Sequence, residues 1–111
     1  MNDRLVLALA QINPTMGDVA GNRDKLLAAR TEAKKLGCDL VIPGELALSG
    51  YPPEDLVLKP AFLDALAAAV DEIVRATSDG GPAILITTPW QIGRAHVGTP
   101  VTIRSRMPSS A

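Results

Sequence analysis

The feature that most constrains this chain is an alternation: three short apolar runs of strand length are separated by two longer stretches in which apolar residues recur every three or four positions. Leu5 to Gln11 (LVLALAQ) is a continuous apolar run followed by the turn pair Asn13-Pro14, the pattern of a buried strand. From Asn22 to Leu36, residues Leu26, Ala29, Ala33 and Leu36 fall on one helical face, with Asn22 placed to cap the first turn and Gly37 to end the last. Leu40 to Ile42 predicts a second strand. Pro60 suits a helix start, and Phe62, Leu63, Leu66, Val70, Ile73, Val74 and Thr77 trace one face until Asp79-Gly80-Gly81-Pro82 stops it. Ala83 to Thr88 (AILITT), apolar and rich in β-branched residues, predicts a third strand. Between Pro43 and Lys59 no period holds, and two glycines and three prolines predict a long loop with room for one helical turn.

The order β-α-β-α-β argues for an α/β architecture with a largely parallel sheet and helices packed on it. Three strands make an incomplete sheet, because a parallel sheet normally has both faces covered and its edges protected. The pattern therefore predicts a domain that stops early, and a chain of poor solubility or loose packing when expressed alone.

Composition bounds the function. With 111 residues, 47% apolar and 21% charged, the chain is long enough for one small globular domain and unlike a disordered one. No apolar run reaches the length needed to cross a bilayer, and the amino terminus lacks a small-residue cleavage site, which together predict a cytoplasmic protein with no membrane partner. The single cysteine, Cys38, cannot form an internal disulfide. Residues 1–91 carry eight basic and twelve acidic side chains, a net charge of −4, and this acidic body argues against nucleic-acid binding. There is no glycine-rich phosphate motif and no spaced Cys or His cluster, so the segment offers neither a nucleotide nor a metal site.

Glu45 is the first candidate for chemistry, since it follows the second strand at the carboxyl end, where open α/β sheets usually place their sites. Taken alone, a loop carboxylate is by default a solvated surface group. Its surroundings say more. The stretch DLVIPGELALSGYPPEDLVLKPAF resembles the segment around the catalytic glutamate of the carbon-nitrogen hydrolase (nitrilase) superfamily, through Glu45-Leu46, the pair Gly50-Tyr51 and the run YPPEDLVLKPAF. The Tyr-Pro-Pro-Glu-Asp-Leu continuation is similar to the amidase domain of glutamine-dependent NAD+ synthetases in particular. ALAQINPTMGDVAGN and GGPAILITTPW resemble that family's first and third strands, so the similarity runs without a gap from residue 4 to residue 90. One departure is the pair Pro43-Gly44, where the family usually has Phe-Pro; glycine frees a position that proline would fix.

The resemblance implies half of a nitrilase-like αββα sandwich and a Glu-Lys-Cys triad. In that chemistry a cysteine thiolate attacks the side-chain amide of glutamine, a glutamate moves the proton, a lysine stabilises the oxyanion, and water releases the product. Glu45 would be the general base and Tyr51 would line the glutamine pocket, although Tyr51 could equally be an aromatic anchor for the loop. The family's lysine and cysteine fall beyond the matching segment, so the fragment is expected to be inactive. Cys38, just before the second strand, reads as an ordinary packed or partly exposed thiol, and Lys59 as a surface or helix-start residue. The complete enzyme would use ATP and Mg2+ in a separate domain that amidates nicotinic acid adenine dinucleotide, and would be a homo-oligomer. The competing readings are a fragment of a free-standing nitrilase-superfamily amidase, and a non-catalytic α/β binding module in which Glu45 and Tyr51 only shape a loop.

Residues 91–111 (QIGRAHVGTPVTIRSRMPSSA) break the composition of everything before them, contain no acid, and show neither helical nor strand period. IGRAHV, TPVT and SRMPSSA resemble one translated frame of a common short-read sequencing adapter. The expectation is a non-native, disordered tail that starts after Trp90 and takes the one histidine, His96, with it.

Overall fold

The computed structural model describes residues 4–92, 96, 97 and 101–105. Strand β1 (Leu7–Ala10) leads to helix α1 (Val19–Lys35) and strand β2 (Leu40–Pro43). A long loop holding a short 3-10 helix (Glu54–Leu58) connects to helix α2 (Pro60–Ala76) and strand β3 (Ala83–Thr88). The predicted order β-α-β-α-β is the order observed. β1, β2 and β3 are parallel neighbours, with Leu7 opposite Leu40 and Leu40 opposite Ala83.

Both helices lie on one face of the sheet, as two crossovers of the same hand stepping in the same direction require. Leu26 and Ala33 of α1 and Leu63, Leu66, Ala69, Val70 and Ile73 of α2 join Val41, Ile84 and Ile86 of the strands in a single core. Each fully buried leucine, isoleucine or valine there contributes roughly 1.5–3 kcal/mol relative to exposure. The opposite face is bare: Leu5, Leu7 and Leu9 are 66%, 46% and 75% exposed.

The start of α1 corrects the sequence reading. The helix begins three residues before Asn22, and Asp18 is its cap, its carboxylate accepting the Gly21 N–H at 3.1 Å. Asn22 lies inside the first turn and is fully buried, where its amide can reach two loops at once. Leu36, expected on the buried face, is 76% exposed, because the helix has already ended and Gly37 turns the chain away with a φ of 75°.

Of the tail expected to be structureless, residues 91, 92, 96, 97 and 101–105 are described, and the others lie outside the described residues. Gln91–Ile92 (β4) pairs antiparallel with His96–Val97 (β5), and Val101–Ser105 (β6) pairs antiparallel with β3 along its whole length. β3 would otherwise present an open row of backbone donors and acceptors, and an added strand satisfies them whatever its side chains are.

Candidate active-site turn

Glu45 stands two residues past β2, at the carboxyl end of the parallel strands. Its side chain is exposed and has no hydrogen-bond or ion-pair partner among the described residues. The turn that carries it is, by contrast, held firmly. Leu46, Ala47, Leu48, Ser49 and Gly50 are all buried. The turn closes on itself through the Gly50 N–H, which donates to the Leu46 carbonyl at 2.9 Å, and the Ser49 hydroxyl, which donates to the same carbonyl at 3.2 Å.

Three ties fix this turn to the rest of the molecule. The Asn22 amide donates to the Leu48 carbonyl at 3.0 Å and to the Thr15 carbonyl at 2.8 Å, and it accepts the Thr15 N–H at 2.8 Å. The Gly17 N–H donates to the Ser49 carbonyl at 2.9 Å. On the other side, the Leu46 N–H donates to the Thr87 hydroxyl oxygen at 2.9 Å. Gly50 allows the closest approach: with φ at 81°, a Cβ there would lie 2.4 Å from the Met16 Cα, so only glycine fits.

The Pro43-Gly44 departure does not distort this arrangement. Pro43 ends β2 in register with Ala10, and a Cβ on Gly44 would meet nothing within 4 Å. The unusual backbone is one residue beyond Glu45, where Leu46 adopts a φ of 52°. An open depression of about 390 Å3 lies beside the turn, lined by Leu9, Ala10, Gln11, Ile12, Ile42, Pro43 and Gly44. It lies at the carboxyl ends of β1 and β2, on the side of the sheet end that carries Glu45.

Tyr51 is 63% exposed and does not anchor the loop by burial. Lys59 is exposed and occupies the cap position of α2. Cys38 is half-buried against the core at the opposite end of β2. Glu45 lies seven positions further along a largely extended chain, about 20 Å at strand spacing, so the two cannot act on one bond.

A second charge cluster lies at that far end. Arg30, buried on α1, donates to the Pro82 carbonyl at 2.8 Å and to Asp79 at 2.6 Å, and Lys34 reaches the same carboxylate at 3.1 Å. The Arg30 guanidinium, then the Gly81 N–H, hold the Asp79 carboxyl well below the usual carboxylate range; burial opposes them, and Lys34 adds a lesser lowering effect. The cluster clasps α1 to the α2–β3 loop and lies away from Glu45. Among the described residues no three His, Cys, Asp or Glu side chains come together as metal ligands.

Sequence reasoning missed Asn22 and Thr87 as parts of the site. In the sequence Asn22 reads as a favourable cap, so nothing there marked the tertiary hydrogen bonds it makes. A threonine in a strand gives no sign of one either.

The comparisons agree with this geometry. Residues 6–96 match the family model described as carbon-nitrogen hydrolase, a match that continues past the expected junction at Trp90. The chain is 44% identical over 90 residues to the glutamine-dependent NAD(+) synthetase of Rhodobacter capsulatus, covering 81% of this chain and 16% of that protein. It is 42% identical over 86 residues to the enzyme of the same name from Aquifex aeolicus, covering 78% and 15%. The chain thus spans about one sixth of the length of the curated relatives it matches. Among solved structures, it superposes on the glutamine-dependent NAD+ synthetase of Acinetobacter baumannii with a TM-score of 0.79 at 26% identity, covering 91% of this chain and 19% of that one. An amidase of the nitrilase superfamily from Nesterenkonia AN1 gives a TM-score of 0.71 at 25% identity, covering 85% and 36%. A family match across most of the chain, on a sheet that puts a glutamate in a pinned turn at its carboxyl end, means that the chain belongs to the carbon-nitrogen hydrolase family.

Proposed function

We propose that the chain is part of the glutamine-hydrolysing domain of a glutamine-dependent NAD+ synthetase, with Glu45 as the general base. The observation that carries this reading is the position of Glu45, an exposed carboxylate on a buried turn tied to the α1 and β3 sides of the sheet end. A carboxylate so placed can take the proton from an attacking thiol and return it to departing ammonia, provided a cysteine is brought to it from elsewhere in the complete protein. Cys38 is at the wrong end of β2 for that role. The 111-residue chain alone therefore forms no acyl intermediate and releases no ammonia from glutamine. Tyr51, exposed beside the turn, is the proposed wall of the glutamine pocket.

In this reading the ammonia feeds an ATP-dependent ligase domain that amidates nicotinic acid adenine dinucleotide, within a cytoplasmic homo-oligomer. Nothing in residues 4–90 fits ATP or Mg2+, since no glycine-rich phosphate loop and no cluster of metal-ligating side chains occurs there. Both belong to that other domain. Residues 91–111 are the proposed non-native tail, and the nucleotide sequence across Trp90 and Gln91 tests this: uninterrupted native coding through that junction would refute it.

A free-standing amidase is the second reading, favoured by the likeness to the Nesterenkonia enzyme. One experiment addresses both. In the full-length enzyme that carries this domain, Glu45→Gln should abolish NAD+ synthesis from glutamine while leaving synthesis from added ammonia intact. Undiminished glutamine hydrolysis would remove Glu45 from the chemistry, and a full-length product without any ammonia-dependent synthesis would favour the amidase.

A further inference from the structure

We infer that Thr87 is a positioning residue for Glu45, acting through the peptide between Glu45 and Leu46; this rests on the proposed role of Glu45. The parallel ladder between β2 and β3 is registered only at Leu40 with Ala83 and Val41 with Ile84. β2 goes on pairing with β1 through Pro43, while the Thr87 backbone pairs on its other side with Thr102. The two strands therefore part company before the Glu45 turn, and Pro43 has no N–H with which to prolong the ladder.

Across that gap the connection is made by a side chain. The Thr87 hydroxyl oxygen accepts the Leu46 N–H at 2.9 Å, bridging positions 41 residues apart. The Leu46 nitrogen is bonded to the Glu45 carbonyl carbon, so fixing the direction of this N–H fixes the plane of the peptide that leaves Glu45. Leu46 is also the residue with φ at 52°, a conformation that a side chain larger than glycine's does not favour and that surrounding contacts must enforce. Its side chain is 4% exposed and its carbonyl accepts from Gly50 and Ser49. The ties from Asn22 and Gly17 reach the turn at Leu48 and Ser49, two and three residues further on. Of the three ties from outside the turn, that from Thr87 is the one that reaches the residue next to Glu45.

Loss of the hydroxyl releases the Leu46 N–H and with it the plane of the peptide that leaves Glu45, while the Leu46 carbonyl stays held by Gly50 and Ser49. A base displaced by about 1 Å from its proton can cost roughly 100-fold in rate with little change in ground-state binding. The test uses Thr87→Val, which keeps the shape and removes the acceptor, and Thr87→Ser, which keeps the acceptor and removes the methyl group. In the full-length enzyme, Thr87→Val should lower the kcat for glutamine roughly 10- to 100-fold with KM nearly unchanged, and Thr87→Ser should restore most of it. Ammonia-dependent synthesis should be equal in all three forms, which reports that the rest of the protein is intact. In the 111-residue chain, the Leu46 amide should exchange with solvent faster in Thr87→Val than in wild type or Thr87→Ser. A Thr87→Val enzyme with normal kcat for glutamine would overturn the inference, as would a Thr87→Ser enzyme as impaired as the valine form. Glu45→Gln, run alongside, separates the two levels: an active Glu45→Gln enzyme refutes the base itself, whereas an inactive one beside a fully active Thr87→Val enzyme refutes only the positioning role.

Discussion

The two faces of the sheet are built from similar residues and meet different surroundings. On the helix side, Ala8, Val41, Ile84 and Ile86 pack into one core with α1 and α2. On the other side, Leu5, Leu7 and Leu9 stand exposed, and Leu40, Ile42 and Leu85 are only half-buried. A sheet meant to face water on one side alternates apolar with polar residues, whereas LVLALAQ does not alternate. The bare face is thus encoded as interior. Such a face is apolar enough to bury against other protein surface.

Three substitutions would break or sharpen that contrast. Leu66, fully buried on α2, belongs to the packed side, and Leu66→Ala should lower the unfolding free energy of the chain by about 2–5 kcal/mol in urea denaturation. A loss no larger than that of a surface substitution would mean that the helix side is no better packed than the bare one.

The next effect tests the clasp that holds the helix layer together. Arg30→Ala takes the donor from the buried Pro82 carbonyl and the charge partner from Asp79, at a cost of about 1–3 kcal/mol. Asp79 is 37% exposed, so solvent screening keeps the ionic share at the low end of that range. The sign of the pH dependence follows from the lowered Asp79 pKa. Folding favours the ionised form, so the contribution is complete above the ordinary unfolded-carboxylate value of about 4 and is lost as the pH falls through the folded value. Wild type should therefore lose stability on acidification more steeply than Arg30→Ala. Parallel stability curves from neutral pH downward would show that the pair contributes nothing.

The smallest effect on stability is expected on the bare side. Leu9→Ser removes an apolar group that is already 75% exposed and should change the unfolding free energy by less than about 0.5 kcal/mol. It should nevertheless reduce self-association, read as a shift toward the monomer in size-exclusion chromatography or sedimentation. A wild-type chain that is already monomeric with a cooperative thermal transition would contradict the assignment of this face as unfinished interior.

Legibility differed by element. β3 and α2 were readable almost to the residue, because four apolar residues and two threonines with Gly-Gly-Pro before them, and a proline start with seven positions on one face, leave little choice of period. The start of α1 was misjudged by three residues, since both Asp18 and Asn22 are good caps and the sequence does not say which one a distant loop will claim. After Trp90 no strand was expected, yet Val101–Ser105 pairs with β3; the alternation of Val101 and Ile103 with Thr102 and Arg104 is a short strand signal, easily passed over in a segment set apart by its composition. Glu45 was found through its motif, and its place at the sheet end followed from its position just past β2.

The order of strands and helices, the parallel sheet and the identity of the candidate base were determined by the sequence alone, because each rests on local periodicity or on a contiguous run of residues. Tertiary structure decided that both helices share one face, that Asn22 braces the turn instead of capping α1, and that the Thr87 hydroxyl holds the peptide beside Glu45. Such contacts join residues 26 and 41 positions apart, and no local pattern records which distant groups a fold will bring within hydrogen-bonding distance.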